Sequence, residues 1–256
     1  MGEGICGKPK VKCGECPHQA FIAPNDDIME KHLRGGDGRS GDFVAGLYPL
    51  LQDETCWFLA ADFDKEGWAD DARALLDTCH AKGIAAALER SRSGSGGHVW
   101  IFFAEPVPAR IARQFGSALL TETMERCPEI GFASYDRFFP NQDTIPLGGF
   151  GNLIALPLQR KAREVGNSVF VDKDLRPQSP PTSSHGHAGD APIRRPLDEL
   201  ISKLKCNCNG RGSTCVRRTK LPDSSSSAYL IIVRSRAKAA DSLRETYAEG
   251  IANHHV

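Results

Sequence analysis

The chain has 256 residues, with 32 Lys and Arg balanced by 32 Asp and Glu, and 40% hydrophobic residues. Zero net charge excludes a globally basic nucleic-acid coat, so any such binding must rest on local patches. The balance is uneven: residues 1–185 carry 20 basic and 25 acidic side chains, and residues 186–256 carry 12 and 7. No window approaches the ~20 apolar residues of a membrane span. Met1-Gly2-Glu3-Gly4 lacks the basic and apolar regions of a signal peptide, so a cytoplasmic chain with no membrane contact is expected. Nine cysteines there point to metal ligands or buried thiols rather than disulfides.

Residues 1–25 are a short cysteine-bearing lead. Cys6-x6-Cys13-x2-Cys16, among Lys8, Lys10 and Lys12, suits tetrahedral zinc in a small knuckle. The fourth ligand is His18 or a cysteine upstream of Met1, and the plain alternative is free thiols. Asp26–Arg34 reads as a short helix capped by Asn25 or Asp26, and Gly35–Asp42 as a loop. Phe43–Leu51 and Thr55–Phe63 read as two strands joined in a hairpin by "QDE". Trp68–Lys82 has helical spacing at Ala72, Leu75, Leu76 and Cys79, with Gly83 placed to end it. Ile84–Glu89 and His98–Phe103 are expected strands around the loop Ser91–Gly97. A helix is expected from about Pro108 to Arg126, and a strand near Ala133–Phe138. Gly148–Asn152 is a turn before the apolar run Leu153–Leu158.

From Thr55 the order is strand, helix, strand, strand, helix, strand. That is the split β-α-β arrangement of ferredoxin-like and RNA-recognition folds. It predicts an α+β core over residues 26–177: an antiparallel sheet with two helices on one face and the other face left for a ligand. After about Gln178 the chain turns Pro/Ser/Gly-rich, and residues 178–256 read as a poorly ordered tail. Short helical patterns remain at Leu197–Lys205 and Ala237–Ala252.

The chemistry concentrates in "FLAADFDK". Residues i and i+2 of a strand share a face, so Asp62 and Asp64 stand side by side. Two like charges that close repel, and a cation between them resolves the conflict. The loop Ser91–Gly97 is small enough for backbone N–H groups to approach an anion. Ser93 and Ser95 add hydroxyls, Arg92 adds charge, and His98 follows at once. Carboxylates beside such a loop and a histidine make a phosphate-plus-metal site. The bland reading is an exposed acidic pair next to an ordinary hairpin. Asp136, or Asp143 in the following loop, could supply a third carboxylate. Arg137, Arg160 and Lys161 are candidate triphosphate contacts or solvated charges. Cys56, Cys79 and Cys127 read as buried thiols; Cys206, Cys208 and Cys215 are a weaker cluster, not expected to bind zinc.

These residues carry a resemblance. "GICGKPKVKCGECPHQAF", "GLYPLLQDETCWFLAADFDK", "ALERSRSGSGGHVWIFFAEPVPAR" and "SYDRFFPNQDTIPLGGFGNLIALPLQ" resemble the primase domain of TOTE conflict systems, of the archaeo-eukaryotic primase superfamily. The resemblance implies that Asp62 and Asp64 ligate divalent Mg²⁺ or Mn²⁺, that His98 contacts nucleotide phosphate, and that Asp136 is the third carboxylate. It implies an RNA-recognition-like catalytic core that performs template-directed nucleotidyl transfer, with nucleoside triphosphates and single-stranded DNA as partners. Relatives are usually fused to a superfamily-two helicase and often a nuclease, so such a module, fused as in relatives or acting in trans, is an expected partner. The resemblance stops after Pro177, and a truncated or frameshifted product is the expectation there. Against the active primase-polymerase stand two alternatives: a nucleic-acid-binding remnant without catalysis, and a metal-dependent nuclease using the same carboxylates.

Overall fold

The computed structural model describes residues 24–36, 43–145, 151–178, 197 and 199–201, and the backbone of 230–234. Cys6, Cys13, Cys16 and His18 of the expected zinc knuckle, and the pattern Ala237–Ala252, lie outside the described residues.

Helix α1 spans Asp26–Arg34. Of its two candidate caps Asn25 serves: its side-chain oxygen accepts the Ile28 N–H at 2.9 Å. Strand β1 is Val44–Tyr48 and β2 is Thr55–Phe63, followed by α2 at Trp68–Ala81. Gly83 ends that helix at φ 67°, the left-handed conformation that glycine adopts without a Cβ penalty. Strands β3 (Ala87–Arg90) and β4 (Gly97–Pro108) flank the Gly/Ser loop. Helix α3 covers Ala109–Arg126, with Pro108 in the cap position just before it. Then come β5 (Tyr135–Phe139), β6 (Ile154–Ala155), α4 (Arg160–Arg163), β7 (Val169–Val171) and β8 (Leu230–Arg234).

The main sheet has the order β5-β2-β4-β3-β7, with every neighbouring pair antiparallel. A mixed helix and antiparallel-sheet architecture is therefore observed. One face of the sheet presents Leu59, Ala61 and Phe63 of β2, Val99, Ile101 and Phe103 of β4, and Leu88 of β3 to Leu75, Leu76 and Cys79 of α2 and Ile111, Phe115 and Leu119 of α3. This is the core. Each fully buried Leu or Phe there contributes on the order of 1.5–3 kcal/mol.

Two expectations change. Strands β1 and β2 do not form a hairpin: β1 pairs with β6 and β8 in a separate three-stranded sheet. The short connection closes instead as a tight turn, with Leu51 N–H on Thr55 O, Glu54 N–H on Leu51 O, and Glu54 at φ 63°. The second face of the main sheet is not left wholly open either. Ile154 of β6 and Leu47 of β1 pack on Phe58, Ala60, Trp100 and Phe139, so only part of that face is left for a ligand. Within the tail, read as poorly ordered with a short helical pattern at Leu197–Lys205, two described stretches join the sheets. Leu197, Leu200 and Ile201 are buried in the main core, and β8 pairs with β1 from Val44 to Tyr48.

Candidate active site

Register builds the site. Across the main sheet Arg137 of β5 stands opposite Asp62 of β2, Asp62 opposite His98 of β4, and His98 opposite Glu89 of β3. Paired residues project to the same face, so four charged or titratable side chains form one row of alternating sign. The row borders the apolar cluster of Phe58, Ala60, Trp100 and Phe139. It lies near the end of β2, where Asp64 is exposed just beyond the last strand residue.

His98 is held from both sides. Its Nδ1 is 3.0 Å from Glu89 Oε2 and its Nε2 is 3.4 Å from Asp62 Oδ1. Burial by itself would lower its pKa. The hydrogen bonds to Asp62 and Glu89 outweigh that and push it up to about 9, so both ring nitrogens carry protons at neutral pH. Glu89 is 2% exposed and also accepts the Trp100 indole N–H at 2.8 Å.

Arg137 gathers the acidic residues. It hydrogen-bonds Asp136, and this bond, together with the nearby charges of Asp136, Asp62 and Asp64, drives its pKa above the ordinary arginine value. The three carboxylates singled out from the sequence thus lie within electrostatic reach of one guanidinium. Asp143, the other candidate, is instead engaged by Arg113 of α3.

The backbone around β2 sets where Asp64 stands. Its N–H bonds Ser134 O at 2.9 Å. Ser134, fully buried, donates both its N–H and its hydroxyl to Asp71 of α2. Gly96 and Gly97 are dictated by close approach. A Cβ on Gly96 would lie 2.5 Å from Phe63 O, and one on Gly97 2.5 Å from the Trp68 ring.

The loop Ser91–Gly97 is closed by Ser91 N–H on Gly96 O at 2.9 Å. The hydroxyls of Ser91, Ser93 and Ser95 form a chain with 3.0 Å steps, and Ser93 and Ser95 are exposed. The turn after α4 packs on this loop, with the Asn167 side chain against Gly94, and Arg90 donates to Gly166 O at 3.0 Å. Lys161 is exposed on α4 itself, outside the charged row. Arg160 and Arg163 beside it donate to Arg34 O and Leu33 O at the end of α1.

Among the described residues no three Asp, Glu, His or Cys side chains converge closely enough to hold a metal ion. Asp62 is turned to His98 and Asp136 to Arg137. The donors themselves, carboxylate oxygens at a partly exposed rim, are the hard-oxygen chemistry that Mg²⁺ and Mn²⁺ take. The thiols do not add to the site. Burial pushes Cys56 and Cys79 up to about 12, and Cys127 is half-buried rather than buried.

Sequence reasoning passed over Glu89, Asp71 and Ser134. For Glu89 a signal was present. Counting back across the loop from His98 pairs Gly97 with Arg90 and His98 with Glu89, so a hairpin there already places a carboxylate beside the histidine. Nothing comparable marks Asp71, whose partner is 63 residues away.

The fold and the row define an α+β domain with an acidic, histidine-bearing rim near the end of β2. The family described as the TOTE conflict system, Archaeo-Eukaryotic Primase domain matches residues 1–183, and the chain belongs to that family. Among curated proteins, none matches the chain. No helix among the described residues is long and apolar enough to cross a membrane.

Proposed function

We propose that this domain is a template-directed nucleotidyltransferase, a DNA primase or polymerase that adds nucleoside triphosphates on a single-stranded DNA template. The observation that carries the reading is the row Arg137–Asp62–His98–Glu89, with Asp64 and Asp136 around Arg137 and family membership behind it. The strand order β5-β2-β4-β3, with α2 and α3 on one face, fits an RNA-recognition-like core of split β-α-β units.

In this reading Asp62, Asp64 and Asp136 hold Mg²⁺ or Mn²⁺. When bound, such ions lower the effective pKa of an attacking hydroxyl and stabilise the leaving pyrophosphate. The remaining work falls to the chain's own side chains and is mostly positioning and electrostatics. Ser93, Ser95 and His98 donate to phosphate oxygens of the nucleotide. Arg137, now beside Asp136, and Lys161 on α4 offset triphosphate charge. Cys6, Cys13 and Cys16 bind zinc, a helicase or nuclease module works with the domain, fused to it or in trans, and the protein works in the cytoplasm.

The test is incorporation of labelled nucleotides on a single-stranded DNA template, with Mg²⁺ and with Mn²⁺, in wild type and in Asp62→Ala/Asp64→Ala. Metal-dependent incorporation that disappears in the double variant is expected. Incorporation unchanged in that variant overturns the proposal. A folded wild type that binds DNA without incorporating nucleotide marks a binding remnant, and degradation of the template without added nucleotide marks a nuclease.

A further inference from the structure

The sequence analysis gave Glu89 no role, yet it is a carboxylate with 2% exposure on β3, an inner strand of the main sheet. A buried carboxylate costs several kcal/mol unless its oxygens are satisfied. Here one oxygen, Oε2, takes two donors: His98 Nδ1 at 3.0 Å and Trp100 Nε1 at 2.8 Å. Trp100 is itself 2% exposed and wedged against Phe58 and Phe102, so the carboxylate is fixed from the side away from the rim. The opposite end of the imidazole is held less tightly, since Nε2 to Asp62 is 3.4 Å.

We propose that Glu89 is a positioning residue of the nucleotide site, which fixes the ring plane of His98 so that Nε2 is presented at the rim to a phosphate oxygen of a nucleoside triphosphate. The proposal rests on the nucleotidyltransferase reading for its substrate class, and on the Trp100–Glu89–His98 geometry for the residue. A histidine whose second nitrogen is committed to a buried carboxylate has its orientation set by that bond, as in metal centres where an outer carboxylate orients a ligating histidine. A simple structural partner for Trp100 would need no more than one acceptor, and would leave His98 unaffected.

The test compares Glu89→Leu, Glu89→Gln, His98→Ala and Glu89→Leu/His98→Ala in the full chain. Two readouts are used: imidazole ¹⁵N NMR of His98 during titration with inorganic tripolyphosphate without metal, and KM and kcat for nucleoside triphosphate. Glu89→Leu is expected to alter the His98 ring resonances and to weaken tripolyphosphate binding and raise KM about tenfold, the scale of outer-shell losses. The double variant should be no worse than His98→Ala. Glu89→Gln keeps an acceptor of lower strength and should fall between wild type and Glu89→Leu. If Glu89→Leu fails to fold, Glu89→Gln decides: weaker tripolyphosphate binding that vanishes as an effect in the His98→Ala background supports the role. Unchanged His98 resonances, or a loss that adds to that of His98→Ala, overturns it. A wild type that binds tripolyphosphate through His98 but incorporates no nucleotide would sink the transferase reading while leaving the assignment of Glu89 standing.

Discussion

Asp71 and Ser134, 63 residues apart, share one buried hydrogen-bonded pair: the Asp71 carboxylate accepts the Ser134 hydroxyl at 2.6 Å and its N–H at 3.2 Å. The carbonyl of the same serine accepts the Asp64 N–H. The first turn of α2 is thereby tied to the backbone that carries the exposed carboxylate of the site. Asp71→Ala strands two buried donors, each costing about 1–3 kcal/mol. A loss of roughly 2–4 kcal/mol in urea unfolding is expected, against a smaller loss in Asp71→Asn, which retains one acceptor. Equal stability of Asp71→Ala and wild type would show that water replaces the aspartate.

Asp64 itself should behave differently. It is exposed, and its place is fixed through its backbone N–H rather than its side chain. Asp64→Asn is expected to abolish divalent-ion binding, read by Mn²⁺ titration, with a stability change within about 0.5 kcal/mol, as for ordinary surface positions. Removal of one of several crowded carboxylates offsets any small loss. A large drop in melting temperature would instead make Asp64 a structural residue.

His32 gives the fold an acid-sensitive joint. Its side chain is fully buried, with Nδ1 accepting the Ala45 N–H at 3.0 Å and Nε2 donating to Pro157 O at 2.9 Å. Only the neutral ring can do both. Burial, the largest influence, lowers its pKa below the ordinary value of 6.5, and nearby Arg163 pulls the same way. A depressed histidine favours the folded state when neutral. Its contribution is therefore complete above about pH 6.5 and is lost as pH falls below that value toward the folded pKa. Urea midpoints for wild type should fall between pH 7.5 and 5, and His32→Phe should be less stable throughout but flatter over that window. Parallel pH curves for the two would remove His32 from the account.

Much of this was legible in the chain itself. The strand Thr55–Phe63 and the helix Trp68–Ala81 follow from apolar spacing and a terminal glycine, and Asp62, Asp64 and His98 were visible because the loop and strands around them are short. What stayed hidden is long-range. The partner of β1 is not its neighbour in sequence but β6 and β8, and pairing across 100 or more residues leaves no local trace. The burial of His32 leaves no local trace either, because its acceptor, Pro157, is 125 residues away. Glu89 was within reach of a hairpin count across the loop, but the burial of its carboxylate is apparent only once Trp100 and His98 are seen to satisfy it.

The glycines preceding His98 test whether the row depends on close strand approach. A methyl group at Gly97 would fall 2.5 Å from Trp68 Cζ3 and 2.8 Å from Glu89 O. The second atom is backbone of the paired strand, so it cannot yield as a side-chain tip can. Gly97→Ala must part β3 from β4 at the point where Glu89 and His98 face each other. A loss of about 2–3 kcal/mol is expected from overpacking alone, with weaker tripolyphosphate binding through the displaced His98. Gly94 supplies the contrast. Its φ of +82° favours glycine, but the three atoms nearest a Cβ there all belong to the Asn167 side chain, which can turn aside. Gly94→Ala should cost about 1 kcal/mol and leave the His98 NMR signals in place. Urea unfolding of both variants ranks them. If Gly97→Ala proves no less stable than Gly94→Ala, the β3–β4 pair is not held by close approach, and the geometry of the Glu89–His98 contact must be enforced by Trp100 and Asp62 instead.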